Sequence, residues 1–347
     1  MNNSEKIKLG ISIGDFNGIG IEIILKTFLD KRMLEFCTPI IFGSTKLVSA
    51  YKKSMNINTP FNGVKFVEKS LPGKLNIVNL WNDDIKVELG KQTKIAGNYA
   101  FLSLEAATDS LKKGEIDVLV TAPINKDNIQ SEDFSFPGHT EYLDSKLEGE
   151  SLMILMADKL RIGLITGHIP ISEVSTTISP ELIKQKVSIM HKTLVQDFAI
   201  SKPKIAILGL NPHCGDKGVI GKEDDEIVRP TISEIQNEGK LVYGPYAADS
   251  FFGSGNYKNF DAILAMYHDQ GLAPFKTLSF GEGVNYTAGL EKIRTSPDHG
   301  TAYELAGKEL ANINSFKEAV FSAIQISKTR KEYNTLTKNT LKKQRQK

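Results

Sequence analysis

The sequence predicts an α/β fold in which largely parallel, partly mixed sheets are covered by helices. Three observations carry this: β-rich runs alternate with helical patterns, glycine or polar turns follow those runs, and the 347-residue length exceeds one ordinary hydrophobic core. Two domains with a ligand cleft between them are therefore expected. In order, KLGISIG reads as a strand before a helix from about Ile21, and TPIIFG as a strand before a helix near Lys46. IDVLVTAP reads as a strand entering a polar loop. SLMILMADKLRIGLITG holds two apolar runs joined at Asp158 to Arg161, a spacing that also suits a hairpin, so a mixed sheet is expected mid-chain. PKIAILGLNPH precedes a helix near Asp225 to Glu238, and FDAILAMYHDQG is a further strand. The segment from Gly271 to Gly307 reads as loop-rich, and the polar tail from Gln325 as a helix end fraying into solvent.

Composition narrows the function classes. A 40% hydrophobic and 24% charged chain is ordinary for a globular protein, and no apolar run is long enough to cross a bilayer, so no membrane partner is expected. The N-terminus lacks the apolar core of a signal peptide. Cys37 and Cys214 alone cannot make a disulfide framework, and a reducing cytoplasm is expected. The formal charge of +2 hides eight Lys or Arg against one acid from Lys328 to Lys347, leaving the rest of the chain net acidic. Basic character confined to a tail argues against a nucleic-acid partner, and removing that tail is expected to leave turnover largely intact.

His168 in LITGHIP, His213 in GLNPHCGD and His268 in AMYHDQG each follow an apolar run. One such histidine is ordinarily a hydrogen-bonded loop residue. Three of only six sharing this context predict an open divalent-metal site at strand ends, with positions left for substrate. His191 lies in a helical pattern and reads as structural, whereas His139 and His299 lie in glycine turns that suit ligand contact.

IGDFNGIGIE places Gly14, Gly18 and Gly20 between a strand and a helix, but the spacing is not that of a dinucleotide fingerprint. With Asp15 and Glu22 in the turn, a structural strand-to-helix connection is the reading. Thr121, Asn125 and Lys126 end the TAPINK strand, His139 and Thr140 follow Gly138, and Lys276, Asn285 and Arg294 come after the last histidine. Fixed positive charge mixed with directional donors suits a phosphorylated carboxylic acid.

Seven motifs in order, GDFNGIGIE, TAPINK, FPGHTEYL, GLNPHCGDKGVIGKED, GPYAADSFF, YHDQGLAPFK and GVNYTAGLEKIRTSPDHGTAYELAG, resemble the 4-hydroxythreonine-4-phosphate dehydrogenase family of vitamin B6 biosynthesis. SPDHGTAYELAGK is also similar to the adenosine-binding loop of isocitrate and isopropylmalate dehydrogenases. The resemblance implies a two-domain isopropylmalate dehydrogenase-like fold with the active site in the cleft. Residues 1–126 and 285–347 would form a nucleotide-binding domain, and 127–284 a metal-binding and dimerisation domain. It further implies metal ligation by His168, His213 and His268 across a homodimer, and substrate contacts from His139, Thr140, Lys276, Asn285 and Arg294. NAD or NADP would contact Gly289, Pro297, Asp298, His299, Gly300 and Thr301. Phe16 and Asn17 depart from the family's usual proline and alanine, so this turn is expected to pack differently.

The implied reaction oxidises the C3 hydroxyl of 4-phosphooxy-L-threonine and decarboxylates the product to 3-amino-2-oxopropyl phosphate. A phosphorylated four-carbon sugar acid, threonate or erythronate 4-phosphate, is the alternative substrate. Zinc suits three imidazoles best, with magnesium or cobalt left open. Asp249, placed in a loop by AADSFF, and Lys276 are the candidate catalytic groups.

Overall fold

The computed structural model describes residues 6–279 and 281–339. Its strands are β1 (Ile7–Ser12), β2 (Cys37–Gly43), β3 (Phe61–Val64), β4 (Leu75–Asn79), β5 (Val118–Thr121) and β6 (Gly149–Ala157). They continue with β7 (Leu160–Leu164), β8 (Lys204–Leu208), β9 (Leu241–Tyr246), β10 (Ala262–Ala265), β11 (Val284–Leu290) and β12 (Ile293–Pro297). All lie in one sheet, in the order β3-β4-β2-β1-β5-β12-β11-β6-β7-β10-β8-β9.

The six strands from β3 to β12 run parallel, as do the four from β7 to β9. Helices cover both faces, so a strand such as β2 is buried at every residue and reads as an uninterrupted apolar run. The three pairs between these blocks are antiparallel: β12 with β11, β11 with β6, and β6 with β7. The expected hairpin is β6–β7, closed at Ala157 and Leu160 with Asp158 at φ 47°.

Three reversals leave the two parallel blocks pointing in opposite directions. Carboxyl ends of β1, β5 and β12 emerge at one edge, and those of β7, β10 and β8 at the other. Sheet twist of roughly 20–25° per strand accumulates across the ribbon between them. Pro297, beyond the first edge, and His168, beyond the second, consequently line one cavity.

Two expectations are corrected. The loop-rich segment contains the β11–β12 hairpin at the centre of the sheet. Its polar residues hide a strand because one side of the hairpin faces a polar cavity rather than apolar core. The fraying tail is part of the helix Asn314–Thr337. There Arg330 reaches inward, donating to both carboxylate oxygens of Asp197 (2.7 and 2.9 Å), to the Tyr286 hydroxyl (2.7 Å) and to the carbonyls of Leu290 and Glu291. Lys331 pairs with Asp117 at 2.8 Å. The remainder of the basic tail, 340–347, lies outside the described residues. Among the described residues, no helix is long and apolar enough to cross a membrane.

Candidate active site

A cavity of about 250 Å³ lies over the antiparallel ribbon. Thr121 to Ile124 and Lys126, at and just past the end of β5, and Pro297 to Gly300, at and just past the end of β12, line one side. His168 beyond β7 lines the other, with Gly138, His139 and Thr140 above and Met153, Asn285, Arg294 and Ser296 on the sheet. Strand alternation puts Asn285 and Thr287 of β11 on the same face as Ser296 and Arg294, their cross-strand partners.

Arg294 is the electrostatic centre. It is 2% exposed and donates to the Thr121 hydroxyl (2.6 and 3.1 Å) and the Thr287 hydroxyl (3.1 Å), with no carboxylate against it. Burial pushes its guanidinium down to about 9, partly offset by the charge of Glu141, so it stays cationic at neutral pH. A buried cation held by neutral hydroxyls is a preformed anion receptor. His139 begins the helix His139–Lys146. Burial, then the positive charges of Arg294 and Lys126, holds its imidazole well below the ordinary range. His139 Nε2, Asn285 Oδ1, Glu141 Oε2 and His299 Nε2 are shut away from solvent without a protein partner, as expected of groups awaiting a ligand.

His168 and His268 stand side by side, ring centroids 5.4 Å apart and the rings tilted 43° to each other. A Glu141 oxygen lies 2.9 Å from His168 Nδ1, and Asp269 lies 2.7 Å from His268 Nδ1. With Nδ1–H donating to its carboxylate, each ring presents its Nε2 lone pair to a cation. Burial raises the Glu141 carboxyl, but its bond to His168, its own backbone amide and Lys126 outweigh this and hold it below the usual range. His213 follows β8, the strand beside β10, and is exposed. Among the described residues, no three His, Cys, Asp or Glu side chains gather at metal-binding separation. The structure brings together His168 and His268, then, and not the whole trio. The donor chemistry of this pair fits a divalent ion that draws further ligands from outside the chain.

His213 sits in an unusual turn. Residues 213 to 218 all have positive φ, from 43° at Asp216 to 86° at Gly218. Four of the six carry side chains, and each costs about 1 kcal/mol or more in this region. Asp224, fully buried, holds the approach by accepting from the Leu210 and Asn211 amides (2.8 and 2.9 Å). Cys214 is buried against Gly209.

Other expected residues lie farther out. Lys276 is about half exposed and reaches the Asp298 carboxylate (3.5 Å) and carbonyl (3.3 Å) at the rim. Burial raises the Asp298 carboxyl, while Lys276 pulls it the other way. Asp249 is exposed on the short helix Ala248–Gly253 after β9, rather than in a loop, and does not line the cavity. Gly289 is at the far end of β11, where φ is +86° and a Cβ would sit 2.1 Å from the Glu150 carbonyl oxygen. Thr301 accepts from the Ile19 amide (3.0 Å), docking the 298–303 loop on the first glycine turn. Asn125 sits in a local turn, its side chain accepting from the Asp127 and Asn128 amides.

The first glycine turn is structural. Asp15 accepts from Asn17, Asn128 and Tyr303, and the buried Asn17 side chain donates to Thr93 and accepts from the Glu88 amide. Asn17 therefore stitches the 88–93 loop onto the turn, and Phe16 packs against the Tyr99 ring at 6.4 Å. Glu141, Thr287 and Ser296 were missed as site residues. Glu141 alone had a signal, lying one turn into a helix beside two ligand-contacting candidates.

Comparison with known proteins identifies the family. Residues 35–323 match the model for the pyridoxal phosphate biosynthetic protein PdxA family. A 4-hydroxythreonine-4-phosphate dehydrogenase of Bacteroides thetaiotaomicron is 52% identical, over 98% of this chain and 94% of that protein. A D-threonate 4-phosphate dehydrogenase of Cupriavidus necator is 34% identical, over 93% of this chain and 98% of that protein. The crystal structure of a 4-hydroxythreonine-4-phosphate dehydrogenase from Burkholderia phymatum superposes with a TM-score of 0.75 at 32% identity, covering 93% of this chain and 99% of that one. The α/β architecture, the ordered motifs and these likenesses together place the chain in the PdxA family of pyridoxal phosphate biosynthetic proteins.

Proposed function

We propose that the chain is a dehydrogenase that oxidises 4-phosphooxy-L-threonine at C3 with NAD or NADP, in pyridoxine 5'-phosphate synthesis. The β-keto acid then loses carbon dioxide to give 3-amino-2-oxopropyl phosphate. The carrying observation is Arg294, a buried guanidinium with only hydroxyl partners in a cavity lined by His139, Thr140 and Asn285. Such a group binds a phosphate or carboxylate without first giving up an ion pair.

When bound, a divalent ion at the histidine edge would supply charge stabilisation at the C3 oxygen, and a nicotinamide would supply the hydride acceptor. His168 and His268 would hold the ion, with His213 completing the set across a homodimer. Exposed Val219 and Ile220 beside His213, and exposed Ile171 near His168, support a partner surface there. Zinc is the preferred ion on donor type. His299 and the 297–301 backbone would meet the nucleotide. Arg294 and His139 orient the anionic end of the substrate, fixing the carbon to be oxidised relative to both edges of the sheet. Lys276, tied to Asp298, adds positive charge at the rim. Asp249 remains a proposed proton-transfer group, acting from the β9 end of the histidine edge.

The alternative substrate is threonate 4-phosphate, which differs in bearing a hydroxyl in place of the amine. The unpartnered Glu141 oxygen favours a cationic amine. Parallel assays with 4-phosphooxy-L-threonine and D-threonate 4-phosphate, following NADH at fixed zinc, test this. Faster turnover of the amino acid is expected; preference for the sugar acid would reverse the assignment, and no NADH from either would refute dehydrogenase activity on this class.

A further inference from the structure

We propose that Gln270 is a positioning residue that fixes the spacing of the histidine-bearing strand ends, so that its side-chain amide governs metal affinity without touching the ion. This rests on the metal reading above. Regular pairing between β10 and β8 stops at Leu264 and Ile207, before either strand reaches its histidine turn. Beyond it, Gln270 Oε1 accepts from the Met266 amide at 2.7 Å, and Gln270 Nε2 donates to the Gly209 carbonyl at 2.6 Å. One side chain thus takes the place of the next ladder bonds. On the other flank, the Thr166 amide and hydroxyl both donate to the Met266 carbonyl (3.1 and 2.6 Å).

Met266 is therefore clamped from both sides. Thr166 and Met266 each lie two residues before a histidine, His168 and His268, and Gly209 lies four before His213. Through these bonds the three turns form one unit across β7, β10 and β8. Metal–nitrogen distances tolerate only about 0.2 Å of drift. Strand ends released from the brace would move by more than that.

The chemistry requires an amide. A carboxylate at 270 could still accept from Met266 but would set an oxygen against the Gly209 carbonyl. Gln270→Glu therefore breaks one bond and adds repulsion at nearly constant shape, and Gln270→Met removes both bonds. Gln270 itself is only half-buried, so neither change opens a cavity in the core.

The test is zinc competition against a chromophoric chelator with the full-length metal-free protein, comparing wild type, Gln270→Glu, Gln270→Met and Thr166→Val. Expected is an affinity loss of about 10- to 100-fold with unchanged stoichiometry. Turnover should be restored by raising free zinc, with KM for the phosphorylated substrate unchanged, and Thr166→Ser should retain wild-type affinity. A role in folding alone would lower the urea midpoint of the metal-free protein and leave zinc affinity intact, which would overturn the proposal. Should Gln270→Met fail to fold, Thr166→Val reports on the same brace through a single hydroxyl. Loss of zinc in His168→Ala and His268→Ala beside wild-type affinity in the Gln270 and Thr166 variants would overturn the brace alone. Wild-type affinity in every histidine variant, His213→Ala included, would overturn the metal reading and the brace with it.

Discussion

Replacing Arg294 with methionine keeps the side chain's length but removes the charge that Thr121 and Thr287 hold in place. Charge-assisted hydrogen bonds of this kind are worth about 1.5–3 kcal/mol each, so KM for the phosphorylated substrate should rise about 100-fold. Zinc affinity should not change; steady-state kinetics beside a metal titration separate the two. His139 makes a prediction about pH. Its folded-state pKa is depressed below the unfolded value of about 6.5, so the unfolded chain takes up more protons as pH falls. The stability this neutral imidazole contributes is complete above about pH 6.5 and is lost on acidification. Urea midpoints measured from pH 7.5 to 5 should fall for the wild type and fall less for His139→Gln. At this scale the sequence was legible where an uncommon residue type stood beside a glycine, as at His139, His168 and His299. Thr287 and Ser296 were illegible because a hydroxyl on a strand announces nothing until the opposite strand supplies Arg294.

The central hairpin shows why elements were read less well than residues. Val284, Tyr286, Ala288 and Leu290 do alternate along β11, but the polar residues of the ligand-facing side, the glycines around them and the polar β12 (IRTSP) gave the segment a loop-like composition. Runs such as IAIL and AILA, buried on both faces, were read directly. Gly289 marks the cost of ending β11 with a bulge. Gly289→Ala would force a side chain into the left-handed region and against the Glu150 carbonyl, for a loss above about 2 kcal/mol in urea unfolding. The short helix carrying Asp249 was unreadable for a different reason: six residues give too little periodicity to separate helix from turn.

Arg330 ties the C-terminal helix to Asp197, at the end of the helix Pro180–Gln196, and to Tyr286 in the middle of the sheet. The C-terminal helix is thereby fixed to the helix Pro180–Gln196 and to the centre of the sheet. Arg330→Met leaves the Asp197 carboxylate buried and unpaired and should lower unfolding free energy by about 3 kcal/mol. Truncation before Lys328 should be at least as damaging, and circular dichroism in urea measures both. Assembly is testable at the same scale. If the histidine edge is shared between chains, Val219→Arg should shift sedimentation toward the monomer and reduce bound zinc; an unchanged dimer with full zinc would place the interface elsewhere. The alternation of strands and helices made the fold class readable, but the reversal of direction across β11 and β6 depends on pairings some 130 residues apart, such as Ile154 with Tyr286.

That distant pairing bears on how the polypeptide matures. While a ribosome is still making the chain, β5 and β6 each have a bare flank, because the hairpin that lies between them is among the last segments to emerge. A nascent product halted near residue 280 would display two unsatisfied strand borders, an invitation to clump with its neighbours. Only the stretch from Val284 to Pro297 seals that gap.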